Sequence, residues 1–371
     1  MSSTAASPVL SLILCSRNDS YMGNSRWRLE TTLNYTADRV RALGLERDVE
    51  VIVCDWGSET PLADVVALGP AAADIVSFLH VPPSTARQLQ QDSPFPEVMA
   101  LNAAARRARG QYIGRIDQDT LTGTRFLRWM RDAAARGQKT LFFANRRSIP
   151  YRFAVLCPSL EVVDRFVAWF GDRLRIETGR VFYHLDVGIW LAHRDLWQEC
   201  GGYDERMIYM NDMDIDMVNR LMSTYPLVDL GTLVGYDFYH LDHYHPRGSR
   251  SSSTHRRVNS QRPVPALGCR PSGDGWGLAY CSLELAHQTP GRRPHIAATT
   301  PARAFAVCAG LSLYAAVRTA IDWVIYPFVP VWKRRASLAW AAVHGEPVVR
   351  WPSLLRKLWL ERPSARGVIA Q

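Results

Sequence analysis

The chain has 371 residues, of which 47% are hydrophobic and 21% charged, so it can bury a large core and is not a mainly disordered protein. That length predicts one large α/β domain with an appendage, or two domains. The formal net charge is +9, and all of the excess lies in residues 290–371, which hold 12 Lys/Arg against 3 Asp/Glu. The 7 cysteines are odd in number and form no CxxC pair, which argues against a disulfide framework or a cysteine zinc site and for a reducing compartment. The apolar run Val9–Cys15 has no basic segment before it and stops at Arg17, so no secretory signal is expected. Ala304–Val317 is uncharged but shorter than the ~20 apolar residues of a spanning helix.

In chain order, Pro8–Cys15 predicts a buried strand and residues 16–25 a polar loop. A helix follows over residues 24–43, with Trp27, Leu33, Val40 and Leu43 facing inward. Residues 49–56, VEVIVCDW, form a second buried strand, and Ile75–Val81 a third. Residues 97–108 read as a helix stopped by Gly110, and Gln111–Ile116 as a fourth strand running into Asp117-Gln118-Asp119. This alternation predicts a mostly parallel sheet covered by helices. Ligands of such sheets bind outside the carboxyl ends of the strands, where the loops 16–20, 55–59 and 117–119 all fall. Residues 180–243 are rich in aromatic and acidic residues, and 246–262 are rich in Arg and Ser. From about residue 300 the pattern turns helical, apolar and basic.

Several residue groups point to chemistry. Asp117 and Asp119, directly after an apolar strand, are hard oxygen ligands suited to Mn²⁺ or Mg²⁺. Asp55 can accept hydrogen bonds from a base N–H or a ribose hydroxyl, or shape the turn before Gly57; the two readings stand level. Ser16 and Arg17 follow the first strand, and Arg17 can pair a phosphate or form a surface ion pair. In GGYDERMIYMNDMDIDMVNRL, residues 201–221, Gly201 and Gly202 make a flexible turn before Asp212, Asp214 and Asp216. A carboxylate at a helix start facing a pocket can be a general base. Asp216 and Arg220 have the spacing of a helical ion pair. His240, His243 and His245 could complete a metal shell, and a purely histidine zinc site fits them as well.

Taken together, SLILCSRND, VIVCDWGSE, NAAARRARGQYIGRIDQDT, GGYDER and DIDMVNRL, in this order across residues 8–245, resemble the GT-A fold glycosyltransferases, in particular the family 2 enzymes and the related galactosyltransferases. The resemblance implies a Rossmann-like, mostly parallel α/β sheet flanked by helices. It implies a nucleotide-sugar donor, a saccharide or glycolipid acceptor, and an inverting displacement. By that likeness Ser16, Arg17, Asp55 and Asp117 belong to the nucleotide site. Asp119, with Asp117 and with His243 or His240, holds Mn²⁺ or Mg²⁺ against the diphosphate. The acidic motif supplies the base. The family usually has Glu-Asp there, whereas this chain has Asn211-Asp212-Met213-Asp214. Counting forward from Gly201 favours Asp212; counting back from Arg220 favours Asp214, which is preferred because Asp216-to-Arg220 matches the family spacing. Tyr203, Trp190 and Tyr183 are candidates for stacking on sugar faces, and Asp216 for acceptor binding. A non-catalytic sugar- or nucleotide-binding protein of the same fold and a nucleotidyltransferase are the rival readings.

Residues 303–362 hold Trp323, Trp332, Trp340, Trp351 and Trp359 beside Lys333-Arg334-Arg335 and Arg356-Lys357. Tryptophan with cations suits an anionic membrane surface, and a helical subdomain packed on the core explains the pattern equally well. No nucleic-acid reader motif accompanies the charge, so nucleic acid is not an expected partner. The expected organisation is a catalytic domain over 1–245, an Arg/Ser/Pro-rich loop or linker over 246–300 and a basic, Trp-rich helical extension over 301–371. The expected location is cytoplasmic, and peripheral on the inner membrane face if the extension takes the membrane reading.

Overall fold

A computed structural model describes residues 7–177, 187–209, 213–222, 224–243 and 272–288, together with positions 306, 309 and 313. Tyr183, Asp212, His245 and nearly all of the basic extension lie outside the described residues. The chain forms two compact units, Met1–Thr178 with His184–Thr299, and Gly179–Tyr183 with Thr300–Gln371. Among the described residues no helix is long and apolar enough to cross a membrane.

The first unit is built on strands β1 (Leu10–Ser16), β2 (Val49–Trp56), β3 (Val76–Val81) and β4 (Tyr112–Arg115). β1 pairs in parallel with β2 and with β4, and β2 in parallel with β3. These are the strands expected from the sequence, and their apolar runs follow from burial on both faces. Leu10, Leu12 and Leu14 point to one side, where helix α1 (Ser25–Ala42) covers them with Leu29, Leu33 and Val40. Ile13 and Ile52 point to the other side, against Val98, Ala100, Ala103 and Ala104 of the helix Glu97–Arg107. Leu43 falls just beyond the end of α1 and is only partly buried.

The remaining strands are β5 (Thr120–Thr122), β6 (Leu141–Asn145), β7 (Arg147–Ile149), β8 (Arg175–Ile176), β9 (Val187–His193), β10 (Leu227–Asp229), β11 (Phe238–Leu241) and β12 (Leu285–Ala286). One sheet has 8 strands in the order β10-β6-β9-β4-β1-β2-β3-β12. β9 runs antiparallel to both neighbours, β4 and β6. The other sheet has 4 strands, β5-β11-β7-β8, and stands where the chain leaves the carboxyl end of β4. The fold is therefore α/β, with a mostly parallel, Rossmann-like sheet flanked by helices.

Two expectations change. Of the loop or linker expected over 246–300, residues 272–288 form a packed loop and not a free linker: β12 pairs with β3, and Trp276 is fully buried in the core beside the helix Glu97–Arg107. Arg107 donates to the carbonyls of Gly277, Leu278, Cys281 and Leu283, fastening the segment down. The boundary at residue 245 therefore does not end this unit. Trp190 lies on β9, opposite Arg115 of β4, and is fully buried among apolar side chains. It fills the core and has no face to offer a sugar.

Candidate functional site

The carboxyl ends of β1, β2 and β4 open onto a cluster of charged side chains. Its deepest part joins Asp119 to β11. Leu241 N–H donates to the Asp119 carbonyl at 2.9 Å, and His240 stands opposite Thr120 in the β5–β11 pairing. That register sets His240 and His243 beside the Asp119 carboxylate, with Nε2 atoms 3.7 and 3.6 Å from its oxygens. One ligand atom from each of these three residues lies within 4.8 Å of the other two. The two imidazole rings meet edge to face with centroids 5.3 Å apart. Buried Arg28, from α1, pairs with the same carboxylate and also donates to the Tyr21 and Gly23 carbonyls. Burial opposes ionisation of Asp119, but His240, Arg28, Arg146 and His243 outweigh it and hold the carboxyl below its usual range.

Asp117, the other acid of the triplet, turns toward arginines instead. It accepts from Arg115 at 2.8 Å and pairs with Arg146. Arg115 is the hub of the second half of the site: it also binds Glu97 at 2.7 Å and stands 3.8 Å from Asp214 Oδ2. Asp214 opens the helix Met213–Met222, so residues 117 and 214, far apart in sequence, meet around one guanidinium. Tyr203 O–H donates to Asp214 Oδ1 at 2.8 Å. Burial drives the Glu97 carboxyl up to about 7; Arg115 opposes the shift, and Asp117 and Asp214 add to it. Burial works against the charge on Arg115, but its carboxylate partners keep it firmly protonated.

The Gly-Gly turn expected to be flexible is clamped. Gly201 and Gly202 have φ of 67° and 69°, in the left-handed region that favours glycine. A Cβ on Gly202 would stand 2.3 Å from Asn102 Oδ1. Asn102 grips the turn from both sides, accepting from Tyr203 N–H at 2.8 Å and donating to the Tyr203 carbonyl at 2.9 Å. Asp216 pairs with Arg220 at 2.9 Å, and Arg220 donates to the carbonyls of Cys200 and Gly202. Asp216 thus supports the turn that carries Tyr203, and Tyr203 itself is buried with its hydroxyl on Asp214.

The remaining sequence candidates sit at the rim. Ser16 O–H donates to the side chain of Gln118, tying β1 to the acidic loop. Arg17 pairs with Asp19 at 2.7 Å and donates to the Pro94 carbonyl at 2.9 Å. Asp55 is fully buried: it accepts from Ser58 O–H and from Leu62 N–H at 2.7 Å, and lies 3.0 Å from His80 Nδ1. Its carboxylate builds the loop after β2.

Sequence reasoning missed Arg28, Glu97, Arg115, Arg146 and Glu177. Two signals were available. Arg115 is a charge inside an apolar strand, and a charge buried there requires partners. Glu97 opens the helix that packs on that strand. Arg28, Arg146 and Glu177 carry no local signal, since only the packing of α1 and of the small sheet brings them in.

No protein-family profile and no curated protein matches the chain. Solved structures of S. aureus TarS do. TarS 1–349 aligns with a TM-score of 0.40 and 13% identity, over 62% of this chain and 60% of that one. The same fragment in complex with UDP gives 0.40 and 12%, over 62% and 59%. In complex with UDP-GlcNAc it gives 0.38 and 13%, over 62% and 57%. The present chain thus spans less than two thirds of the length of the structures it matches.

Proposed function

We propose that this chain is a metal-dependent, inverting glycosyltransferase that moves a sugar from a nucleotide-sugar donor to a hydroxyl of a saccharide or glycolipid acceptor. The observation that carries the reading is the meeting of Asp119, His240 and His243 at the carboxyl edge of a parallel sheet, with Asp214 on the same charged cluster. Two features support a cation at the triplet. His240 Nε2 is buried and has no hydrogen-bond partner, although it stands beside a carboxylate. When all are ionised, the carboxylates of Glu97, Asp117, Asp119, Glu177 and Asp214 outnumber the guanidinium groups of Arg28, Arg115 and Arg146 by two, the charge of one divalent ion.

Asp119, His240 and His243 are the residues that would hold the ion. Two imidazoles suit a transition-metal ion better than Mg²⁺, which leaves Mn²⁺ as the better fit of the two expected ions and Zn²⁺ as the rival to exclude. When bound, such an ion neutralises charge on a departing diphosphate. The protein's own groups account for the acceptor side. Tyr203 occupies Asp214 Oδ1 and leaves Oδ2 to receive the proton of an acceptor hydroxyl. Arg115 fixes Asp214 relative to Asp117 and keeps the two carboxylates from repelling each other.

The test is thermal stabilisation by a panel of sugar nucleotides with Mn²⁺, Mg²⁺, Zn²⁺ or chelator, followed by transfer and hydrolysis assays on the stabilising donor. Ligand binding to the native state raises apparent stability by an amount that grows with the logarithm of ligand concentration over Kd. Stabilisation that needs both a sugar nucleotide and Mn²⁺, lost in Asp119→Ala, is expected. Zinc binding with indifference to every nucleotide would overturn the reading.

A further inference from the structure

Glu177 follows β8 directly and lies beyond the metal triplet, yet it touches it. Its Oε1 lies 2.9 Å from His240 Nδ1, and its Oε2 accepts from Arg146 Nε at 2.7 Å. Arg146 in turn pairs with Asp117. The main chain holds this arrangement, because Glu177 N–H donates to the Arg146 carbonyl at 2.8 Å. We infer that Glu177 is the positioning residue of the candidate metal site: it fixes His240 as the Nδ1–H tautomer, so that the Nε2 lone pair faces Asp119 and His243. The inference rests on the metal-site reading above and assigns a role to a residue outside the ligand set.

The chemistry follows from donor and acceptor counts. A carboxylate can only accept, so the imidazole nitrogen facing it carries the proton. In the neutral imidazole, the form that can ligate a cation, the other nitrogen is then bare. In this structure that nitrogen is His240 Nε2, buried and without a hydrogen bond, 3.7 Å from an Asp119 oxygen. The Arg146 guanidinium paired with its other oxygen keeps Glu177 facing the ring as an acceptor. Carboxylates placed behind a ligating histidine typically contribute ~10–100-fold to metal affinity.

Arg146 makes the isosteric substitution informative. In Glu177→Gln the amide oxygen must face Arg146 Nε, which can only donate. The amide nitrogen then faces His240 Nδ1 and donates to it. The proton is forced onto Nε2, and the ring loses the lone pair that a cation needs.

The experiment has two readouts on the full chain. Nitrogen NMR of histidine-labelled, metal-free protein reports the His240 tautomer, with His240→Ala for assignment. Titration with Mn²⁺ alone, followed by electron paramagnetic resonance, reports affinity. Expected are Nδ1–H in the wild type, Nε2–H in Glu177→Gln, and Mn²⁺ binding weakened ~10–100-fold in that variant. An Nε2–H tautomer in the wild type overturns the inference without any variant. Wild-type Mn²⁺ affinity in a folded Glu177→Gln protein also overturns it, and leaves the metal site standing. If the wild type binds no Mn²⁺ with or without a sugar nucleotide, the metal-site reading falls and the inference falls with it.

Discussion

Tyr203 holds one oxygen of Asp214 at 2.8 Å while the other faces Arg115. Burial pushes the Tyr203 hydroxyl well above its ordinary pKa and the Asp214 charge adds to that, so it stays a donor at any working pH. Under the proposed function, Asp214→Asn removes the proton acceptor and lowers kcat by ~10²–10⁴-fold. Tyr203→Phe keeps the carboxylate but frees it to rotate, and lowers kcat by about tenfold, the worth of one hydrogen bond to a charged group. Steady-state kinetics with the donor at saturation check both. An unchanged kcat in Asp214→Asn would move the base elsewhere, with Asp212 the first residue to try.

Glu97 gives the protein a pH-dependent stability with a definite sign. Its folded pKa of about 7 lies above the ordinary glutamate value, so the native state binds the proton more tightly than the unfolded chain. The stabilisation is full below about pH 4 and is lost as pH rises through 7. Glu97→Gln mimics the protonated acid at every pH. The variant is expected to match wild type near pH 4 and to exceed it by ~1–3 kcal/mol at pH 8, since one pKa unit is 1.36 kcal/mol. Urea midpoints at the two pH values are the measurement.

Gly202 is predicted to be intolerant of any side chain. Its φ of 69° adds backbone strain to the clash, since a Cβ there would meet the Asn102 oxygen at 2.3 Å. Gly202→Ala should cost ~1–3 kcal/mol for the backbone alone. It should also loosen Tyr203, so activity falls along with the thermal midpoint. A calorimetric scan of the variant with and without donor separates the two effects.

Trp276 tests whether residues 272–288 are integral to the first unit. The side chain is fully buried, and Arg106 lies over its ring at 5.3 Å. Trp276→Ala is expected to destabilise the protein by ~3–5 kcal/mol, as for other buried aromatics. A solvated linker residue would change stability by less than ~0.5 kcal/mol. Chemical denaturation distinguishes the two.

The strands β1 to β4 could be read from the sequence because each is a mostly apolar segment, bounded by turn residues and alternating with helical patterns. The helix Glu97–Arg107 was equally plain from its alanine-rich face. The small sheet was not legible, since β5, β7, β8 and β11 have only two to four residues and acquire meaning through pairings of distant segments. That sheet brings His240 to Asp119 and Glu177 to His240, so the ligands were named from the sequence but their support was not. Trp190 as a sugar-stacking residue and Asp216 as acceptor-binding rather than ion-paired were open for a related reason: an aromatic or an acid near a site has the same letter whether it faces the pocket or the core. Burial decides the first, and the Arg220 pair decides the second.

The surplus of negative charge around Arg115 and Asp119 has a kinetic side. Under the proposed function, a diphosphate that arrives unaccompanied finds the guanidinium groups there already engaged by carboxylates. Entry is then favoured for a donor that arrives with its counterion already attached, or after the counterion has settled. Sequence of arrival, and with it a steep response to the free divalent-ion level, would be built into the electrostatics and need no moving part.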